Sequence, residues 1–294
     1  MKTFIREHTR EYSLIRIQCM ARIYDLMIKE LGVKQIEFCM VCRDGGLVAV
    51  HYTKETFEDI FKQLGKKASD KKWLEEQIKI LFHYFEKLMP YFKGEKTPKN
   101  LEELKLILDE YVEAFYRTGI MYVAPLIPAL PEEIKKIALD ARADIQEYNE
   151  SMEDVIDRTM NNLYPQLNGD VRFILQEEIW SGEIKKLEIK NKIAERKRSY
   201  IFYNNKLYTG DIDALLKRFG IVLSHGADIK ETNTINGQIA FKGIVKGTVR
   251  IVSNTKDAEK VRKGDILVSV MTMPKYIAAM GRAAAFVTDE GGIT

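Results

Sequence analysis

The residues best suited to chemistry lie at the C-terminal end of the sequence. Gly291 and Gly292 allow the backbone to turn sharply and to approach a ligand closely, and Thr294 can cap a following helix. The first turn of such a helix offers N–H groups and a partial positive charge, which stabilise a phosphoryl group. A neutral imidazole in the first turn of this helix can attack phosphorus and later release the phosphoryl group. The pattern therefore favours a phosphate site.

Two predicted strands would position this turn. Residues 284–288 are apolar up to Thr288 and predict a buried, central strand, which is followed by Asp289. Residues 265–270 predict a second buried strand, and Thr272 just after it could donate a hydrogen bond to the same group. Ligands of open α/β layers bind at such strand ends. Because a Gly-Gly turn is common in other settings, this interpretation depends on the motifs around it.

Several motifs occur in a fixed order before and within this turn. They are Gly243-Ile-Val-Lys-Gly247 leading into Val249-Arg-Ile-Val252, then Gly264-Asp-Ile-Leu-Val268, Thr272-Met-Pro274 and Val287 to Thr294. Each motif alone carries little information. Together and in this order they resemble the swivelling phosphohistidine domain of the phosphoenolpyruvate-utilising enzymes, a family that includes phosphoenolpyruvate synthase, pyruvate phosphate dikinase and rifampin phosphotransferase.

The resemblance implies a phosphoryl relay. In this family the segment that matches Thr288 to Thr294 runs directly into a Ser-His or Cys-His pair, and the histidine carries a phosphoryl group between two remote active sites. That histidine would lie two residues beyond Thr294, so we expect the chain to be truncated at its C-terminus and inactive by itself. The residues that would flank the phosphoryl group are Thr272, Thr288, Asp289, Gly291, Gly292 and Thr294.

The resemblance also implies a reaction and its cofactors. We expect a phosphotransferase of the phosphoenolpyruvate-synthase-like kind, which moves a phosphoryl group from ATP through the histidine to pyruvate or another small-molecule acceptor. ATP and Mg²⁺ would be bound by an ATP-grasp domain on another chain or elsewhere in a longer gene. This fragment itself would bind no cofactor. No Gly-x-x-x-x-Gly-Lys-Ser/Thr loop occurs in the sequence.

Two alternatives stay open. The chain could be a non-catalytic binding or docking module that has lost the histidine, or part of an ATP-dependent ligase that uses the same relay. The residue that follows in the gene separates the relay from the docking module. The product, a phosphorylated or a condensed acceptor, separates the phosphotransferase from the ligase.

Composition excludes several other classes of protein. The chain has 294 residues, a net charge of +3 and three cysteines. So small a charge does not indicate a nucleic-acid-binding surface, and three cysteines cannot form a disulfide framework, which indicates a reducing cytoplasm. No apolar stretch approaches the roughly 20 residues that a membrane-spanning helix needs. The four histidines lie in separate predicted segments, so no metal site is expected.

The composition changes near residue 230, which predicts two domains. Residues 231–294 contain seven of the 18 glycines but only three aromatic residues. We expect an α+β multidomain protein. Its first domain, residues 1–230, would be mainly α-helical with small β-hairpins, and residues 231–294 would form an incomplete β/β/α swivelling domain.

Helical periodicity and capping residues define the predicted elements. In the first domain, helices are predicted at residues 12–31, 54–64, 70–89, 101–116, 131–163, 172–180, 182–198 and 212–219, and hairpins at 36–52 and 200–208. In the second, strands are predicted at 239–252, 265–270 and 284–288, and short helices at 256–262 and 275–281.

Two further patterns are expected to be structural. Cys39 and Cys42 have the spacing of a redox or zinc motif, but residues i and i+3 of a strand point to opposite faces and cannot bind one metal ion. Seven basic residues between Lys185 and Arg198 are interleaved with glutamates, which is typical of a solvent-exposed helix face.

Aromatic residues at helical spacing allow two interpretations. We expect core packing for Tyr84, Phe85, Tyr111, Phe115, Tyr116 and Tyr122. Alternatively, these side chains line a cleft for an aromatic acceptor, and His83 beside them acts as the base that activates the acceptor.

Overall fold

The computed structural model describes residues 1–145, 148, 151–167, 169–224, 237, 239, 241–252, 255–269 and 276–288. These residues form a six-stranded mixed sheet, a set of helices and a second, three-stranded parallel sheet. The predicted α+β fold class is confirmed. The predicted boundary near residue 230 falls outside the described residues and stays a prediction.

The large sheet combines strands from both ends of the first predicted domain. Its strands are β1 (Lys2–Arg10), β2 (Phe38–Arg43), β3 (Val48–Thr53), β4 (Ser199–Tyr203), β5 (Lys206–Thr209) and β6 (Ile221–Ser224). They follow the order β5-β4-β2-β3-β1-β6, and each neighbouring pair is antiparallel except β1 with β6. Both predicted hairpins are present, but the pairing of β2 with β4 joins them into one sheet.

Helices fill the sequence between these strands. They are α1 (Leu14–Leu26), α2 (Lys54–Ala68), α3 (Lys71–Phe92), α4 (Leu101–Val123), α5 (Glu132–Ile145), α6 (Ser151–Leu163), α7 (Gln176–Trp180), α8 (Ile189–Arg198) and α9 (Ile212–Phe219). Asn100 caps α4 as predicted, since its side chain accepts a hydrogen bond from the Glu103 amide at 2.9 Å. Asp70 caps α3 in the same way.

Several predicted boundaries are wrong. The predicted helix at 131–163 is divided into α5 and α6, and the predicted helices at 172–180 and 182–198 each begin with a short 3₁₀ turn. Strands β1 and β6 were not predicted at all. Strand β1 carries five charged or histidine side chains, and it is held in the sheet by pairing with β3 on one side and β6 on the other. Local periodicity does not reveal such long-range pairing.

The two faces of the large sheet pack against different helices. Met40, Cys42 and Val50 belong to the main core, which the sheet shares with the helices between β3 and β4. Cys39 lies on the opposite face in a smaller core, which α9 covers. The two cysteines therefore point to opposite faces, as predicted from strand geometry, and burial raises the pKa of both thiols.

A buried ion pair joins α7 to α8. Arg196 donates hydrogen bonds at 2.7 and 2.8 Å to the two carboxylate oxygens of Glu178, and both residues are at most 5% exposed. Burial alone would raise the pKa of Glu178, but hydrogen bonds from Arg196 and the Leu175 amide hold it below its usual value. The expectation that this basic helix presents a solvent-exposed face is therefore wrong for Arg196.

Replacing Glu178 tests this ion pair. Because Glu178→Gln leaves a buried guanidinium without its counter-ion, we expect the free energy of unfolding to fall by about 3–5 kcal/mol in urea denaturation. The matched control is Glu183→Gln, because the side chain of Glu183 is 39% exposed where it pairs with Lys192. An exposed ion pair contributes about 0–1 kcal/mol to the free energy of unfolding. Equal losses in the two variants would contradict the assignment.

Candidate functional site

The small sheet is the framework of the predicted phosphate site. It consists of β7 (Val249–Ile251), β8 (Ile266–Ser269) and β9 (Ala285–Thr288), in that order and all parallel. Two short helices, α10 (Thr255–Glu259) and α11 (Ile277–Met280), accompany it. Leu267 at the centre of β8 is fully buried in a core shared with Ala258 and Ala279. The sheet therefore has one packed face.

Two motif glycines meet where β7 and β8 begin. A Cβ atom added to Gly247 would lie 2.2 Å from the carbonyl oxygen of Gly264, so no side chain fits there. Gly264 has a φ of +88°, which favours glycine. The amide of Ile266 donates to the carbonyl of Thr248 at 2.8 Å directly beside this contact. These two glycines thus allow β7 and β8 to pair closely.

Asp265 anchors the start of β8. Its side chain accepts hydrogen bonds from the Arg262 amide at 2.9 Å and from Nε of Arg250 at 3.0 Å. The bond from the Arg262 amide, followed by the Arg250 guanidinium, holds the pKa of this carboxyl below its usual value. The Gly264-Asp265 pair of the motif therefore has a structural role at the end of the sheet away from the predicted phosphate site.

The structure brings the ends of β8 and β9 together. Thr288, the last residue of β9, is in register with Ser269, the last residue of β8. Thr288 is exposed, and Ser269 is buried and donates a hydrogen bond to the Val252 carbonyl at 2.7 Å. The other predicted site residues lie outside the described residues; they are Thr272, Asp289, Gly291, Gly292 and Thr294. Their approach to Thr288 stays a prediction.

Strand β9 differs from the buried, central strand that its sequence predicts. It lies at the edge of the small sheet as far as the structure describes it, and Phe286 and Val287 are 46% and 53% exposed. The predicted strand at 239–252 is also shortened to β7. Phe286 and Val287 are exposed because within the described residues only one face of this sheet has packing partners.

The aromatic side chains of the first predicted domain mostly pack in its core. Phe85, Tyr111 and Tyr116 are buried there. Tyr84 lines an open cleft of about 510 Å³ between α1, α3 and α4, whose other lining residues are mainly charged. His83 is exposed, and the centre of its ring lies 5.6 Å from the centre of the Tyr84 ring. The alternative of an aromatic-lined cleft with His83 as base is not supported by these positions.

One group of charged side chains was not evident from the sequence patterns, and we call it the charged cluster: Glu11, Arg16, Glu153, Asp157 and Arg172. Arg16 is 2% exposed, and its Nε donates to the hydroxyl of Tyr111 at 3.0 Å. The signal in the sequence was a single arginine between Ile15 and Ile17 of α1, on an otherwise apolar face.

Carboxyl groups of the charged cluster have altered pKa values. Burial and repulsion by Glu153 raise the pKa of Asp157 from 3.8 to about 6, although Asp157 reaches solvent. Burial also raises the pKa of Glu153, and Arg16 only partly offsets that effect. Pairs of carboxyls that repel each other beside arginines are frequent in functional sites.

Two negative findings bear on the choice of function. The described part of the chain contains no group of three or more His, Cys, Asp or Glu side chains placed to hold a metal ion. No helix in the described ranges is both long and apolar enough to cross a membrane.

Comparison with known proteins bears on the C-terminal segment. Residues 261–294 match the family model of the PEP-utilising enzyme, mobile domain. The probable phosphoenolpyruvate synthase of Methanocaldococcus jannaschii is 46% identical over 67 residues, which are 23% of this chain and 6% of that protein. The phosphoenolpyruvate synthase of Pyrococcus furiosus is 46% identical over 68 residues, 23% of this chain and 8% of that protein.

A third relative covers more of the chain. The probable phosphoenolpyruvate synthase of Methanothermobacter thermautotrophicus is 36% identical over 89 residues, 29% of this chain and 13% of that protein. The matched regions thus span only 6–13% of the length of these relatives. No solved structure matches the chain. The resemblance to the phosphoenolpyruvate-utilising enzymes is confirmed for the C-terminal part.

Substitution of Gly247 tests the contact between the motif glycines. In Gly247→Ala the new methyl group collides with the Gly264 carbonyl, so we expect a loss of about 1–3 kcal/mol in local stability. The amide of Ile266 should then exchange its hydrogen faster. Gly243→Ala is the control, because a Cβ at Gly243 meets nothing within 4 Å. Unchanged exchange in Gly247→Ala would contradict the contact.

The raised pKa of Asp157 predicts a pH dependence of stability. The folded chain binds this proton more tightly than the unfolded chain, so the stability of the wild type falls as pH rises from 3.8 to about 6. Asp157→Asn removes this loss and should raise the melting temperature at pH 7 but not at pH 4. The exposed Asp154→Asn on the same helix is the control, and an equal gain there would refute the assignment.

Proposed function

Because its C-terminal segment is of the phosphoenolpyruvate-utilising enzyme family, we propose that this chain is part of a phosphoenolpyruvate-synthase-like phosphotransferase. A phosphoryl group passes from ATP through a histidine to pyruvate or another small-molecule acceptor. The match of residues 261–294 to the mobile-domain family supports this proposal most strongly. The proposal places the phosphoryl-carrying histidine two positions after Thr294.

The small sheet supports the proposed site. Its strands are parallel, and β8 and β9 end side by side at Ser269 and Thr288. Ligands of parallel sheets bind beyond the carboxyl ends of neighbouring strands, and the proposal places the phosphoryl group beyond these two strand ends. In the proposal, Thr272, Asp289, Gly291, Gly292 and Thr294 join Thr288 around the phosphoryl group.

The remaining parts of the system have their own proposed places. The helical region up to residue 230 binds the acceptor or the partner, and residues 231–294 carry the phosphoryl group. ATP and Mg²⁺ bind to an ATP-grasp domain on another chain or in another part of the gene. The protein works in the cytoplasm, which agrees with three free, buried cysteines, Cys19, Cys39 and Cys42.

A labelling experiment tests the relay. The 294-residue chain and a longer chain that also contains the residues encoded downstream are each incubated with the ATP-grasp domain, Mg²⁺ and radiolabelled ATP. We expect an acid-labile, base-stable label on the longer chain only, because phosphohistidine requires the downstream imidazole. Replacing that histidine with alanine should abolish the label, and His83→Ala should retain it.

Other outcomes separate the alternatives. A stable acid-labile label on the 294-residue chain, or no label on a longer chain that contains the histidine, would overturn the proposal. A different residue at the downstream position would favour the docking module. A condensed rather than a phosphorylated acceptor would favour the ligase.

A further inference from the structure

The large sheet ends in an open edge at β5. This strand pairs with β4 and has no second neighbour among the described residues. The two-residue turn Asn204-Asn205 closes on the pair of Tyr203 and Lys206. Because hydrogen-bonded and non-hydrogen-bonded pairs alternate along an antiparallel ladder, the backbone groups of Leu207 and Thr209 point away from β4. This edge can therefore accept a further strand.

A groove follows this edge of the sheet. Its volume is about 390 Å³, within the range of about 300–1,000 Å³ that is typical of ligand sites. Consecutive residues, 205–209, line one side of it, and residues of α7 and α8 line the other. Successive side chains of a strand point to opposite faces, so a cavity that touches every residue of β5 runs along its edge. A strand added to β5 would occupy this groove.

Two carboxylates in the groove lack a cationic partner. Glu177 accepts a hydrogen bond from the side-chain amide of Gln18 at 2.5 Å, and Glu195 accepts one from the Thr209 hydroxyl at 3.2 Å. Both glutamates are exposed and line the groove. Neither forms an ion pair within the part of the chain that the structure describes. Both carboxylates are therefore available to a cation that enters the groove.

The cations beside the groove are placed differently. Lys192 and Arg196 both pair with the buried Glu178. Lys206 is exposed, but its register with Tyr203 places it on the sheet face that α9 covers. The charge that remains for a ligand on the α8 side of the groove is thus negative, and it favours a basic side chain.

Apolar side chains form the base of the groove. Leu175 and Phe202 are buried in the main core, and Leu207 packs against that core. Leu207 and Thr209 are two residues apart on one strand, so they share a face of the sheet. On that face, a side chain of an added strand meets apolar surface beside Leu207 and the Glu195 carboxylate beside Thr209. The groove therefore suits an extended chain with an apolar and a basic residue two positions apart.

We propose that the groove beside β5 binds an extended segment of a partner protein, which adds a strand to the large sheet. A basic side chain of that segment lies against Glu177 and Glu195, and an apolar side chain two residues away packs on Leu207. Backbone hydrogen bonds to Leu207 and Thr209 contribute affinity for any extended chain, whereas the carboxylates select the basic residue. This site is independent of the phosphoryl relay, because all of its residues belong to the first predicted domain.

A peptide titration tests this surface. The probe is the peptide Thr-Val-Thr-Lys-Thr-Val-Thr with both ends blocked, in which alternation places valine and lysine on one face of a strand. Fluorescence anisotropy of a labelled form measures its affinity for the whole chain. We expect saturable binding, and about tenfold weaker binding of the same peptide with glutamate in place of lysine. No saturable binding, or equal binding of the glutamate peptide, would overturn the proposal.

Backbone methylation of the probe tests strand addition. Alternate residues of a strand direct their N–H groups to opposite edges. We therefore compare two probes, one methylated on the backbone nitrogens of its odd residues and the other on those of its even residues. One probe should bind about tenfold or more weakly and the other should retain its affinity. Equal affinities would exclude strand addition. The unmethylated probe should also slow hydrogen exchange at the amides of Leu207 and Thr209.

A charge reversal locates the basic side chain. Glu195→Lys should weaken binding of the lysine peptide about tenfold and strengthen binding of the glutamate peptide a few-fold. A partly unfolded chain cannot gain affinity, so this gain excludes a folding artefact. Glu188→Lys is the matched control, because Glu188 is exposed at the start of α8 and does not line the groove. It should leave both affinities unchanged, and equal effects of the two substitutions would refute the site.

Discussion

The pairing of β2 with β4 is the constraint on which the large sheet and its helices depend. Strands β2 and β3 form a hairpin, after which the chain continues through α2 to α8 before it returns as β4. Five residue pairs, from Cys39–Tyr203 to Arg43–Ser199, close this long excursion. Closing a loop of this length costs conformational entropy. Burial of the apolar sheet face that packs against the helices offsets this cost. The positions of the helices follow from this closure.

Two arginines near this closure differ in the length of their contacts with carboxylates and in their exposure to solvent. Arg196 is fixed by short hydrogen bonds to Glu178 and to the Phe173 carbonyl, and it is buried. Arg172 lies at a longer distance from its carboxylate and is partly exposed. Desolvation makes a buried charge depend on its partner, whereas an exposed guanidinium in a loose contact can exchange partners. Arg196 therefore contributes more to stability than Arg172, because only the buried guanidinium would be left without a counter-ion when its partner is removed.

The small sheet lies partly within the segment that matches the mobile-domain family model, and it exposes apolar residues. Its motif glycines, Gly247 and Gly264, explain why close pairing of β7 and β8 requires these residue types. Phe286 and Val287 stay exposed because the described residues supply packing partners for one face. Parallel sheets are normally covered on both faces. The family model matches residues 261–294, which include β8 and β9 but neither β7 nor Gly247.

The sequence by itself determined the local features. Helix caps such as Asn100, the two hairpins and the opposite faces of Cys39 and Cys42 all depend on neighbours within a few residues. Of the candidate phosphate site, only Thr288 falls within the described residues, at the strand end that its sequence predicts.

Only the tertiary structure decided which distant segments meet. Strand β1 needed β3 and β6 as partners, and the buried position of Arg196 needed Glu178. The charged cluster needed residues near the start of the chain to meet residues 153–172. Periodicity records which face of an element is apolar, but it carries no information about the partner that covers that face. Strands pair over long distances and charges lose their contact with water only when the chain folds. The sequence therefore reveals the local features, whereas these contacts are seen only in the tertiary structure.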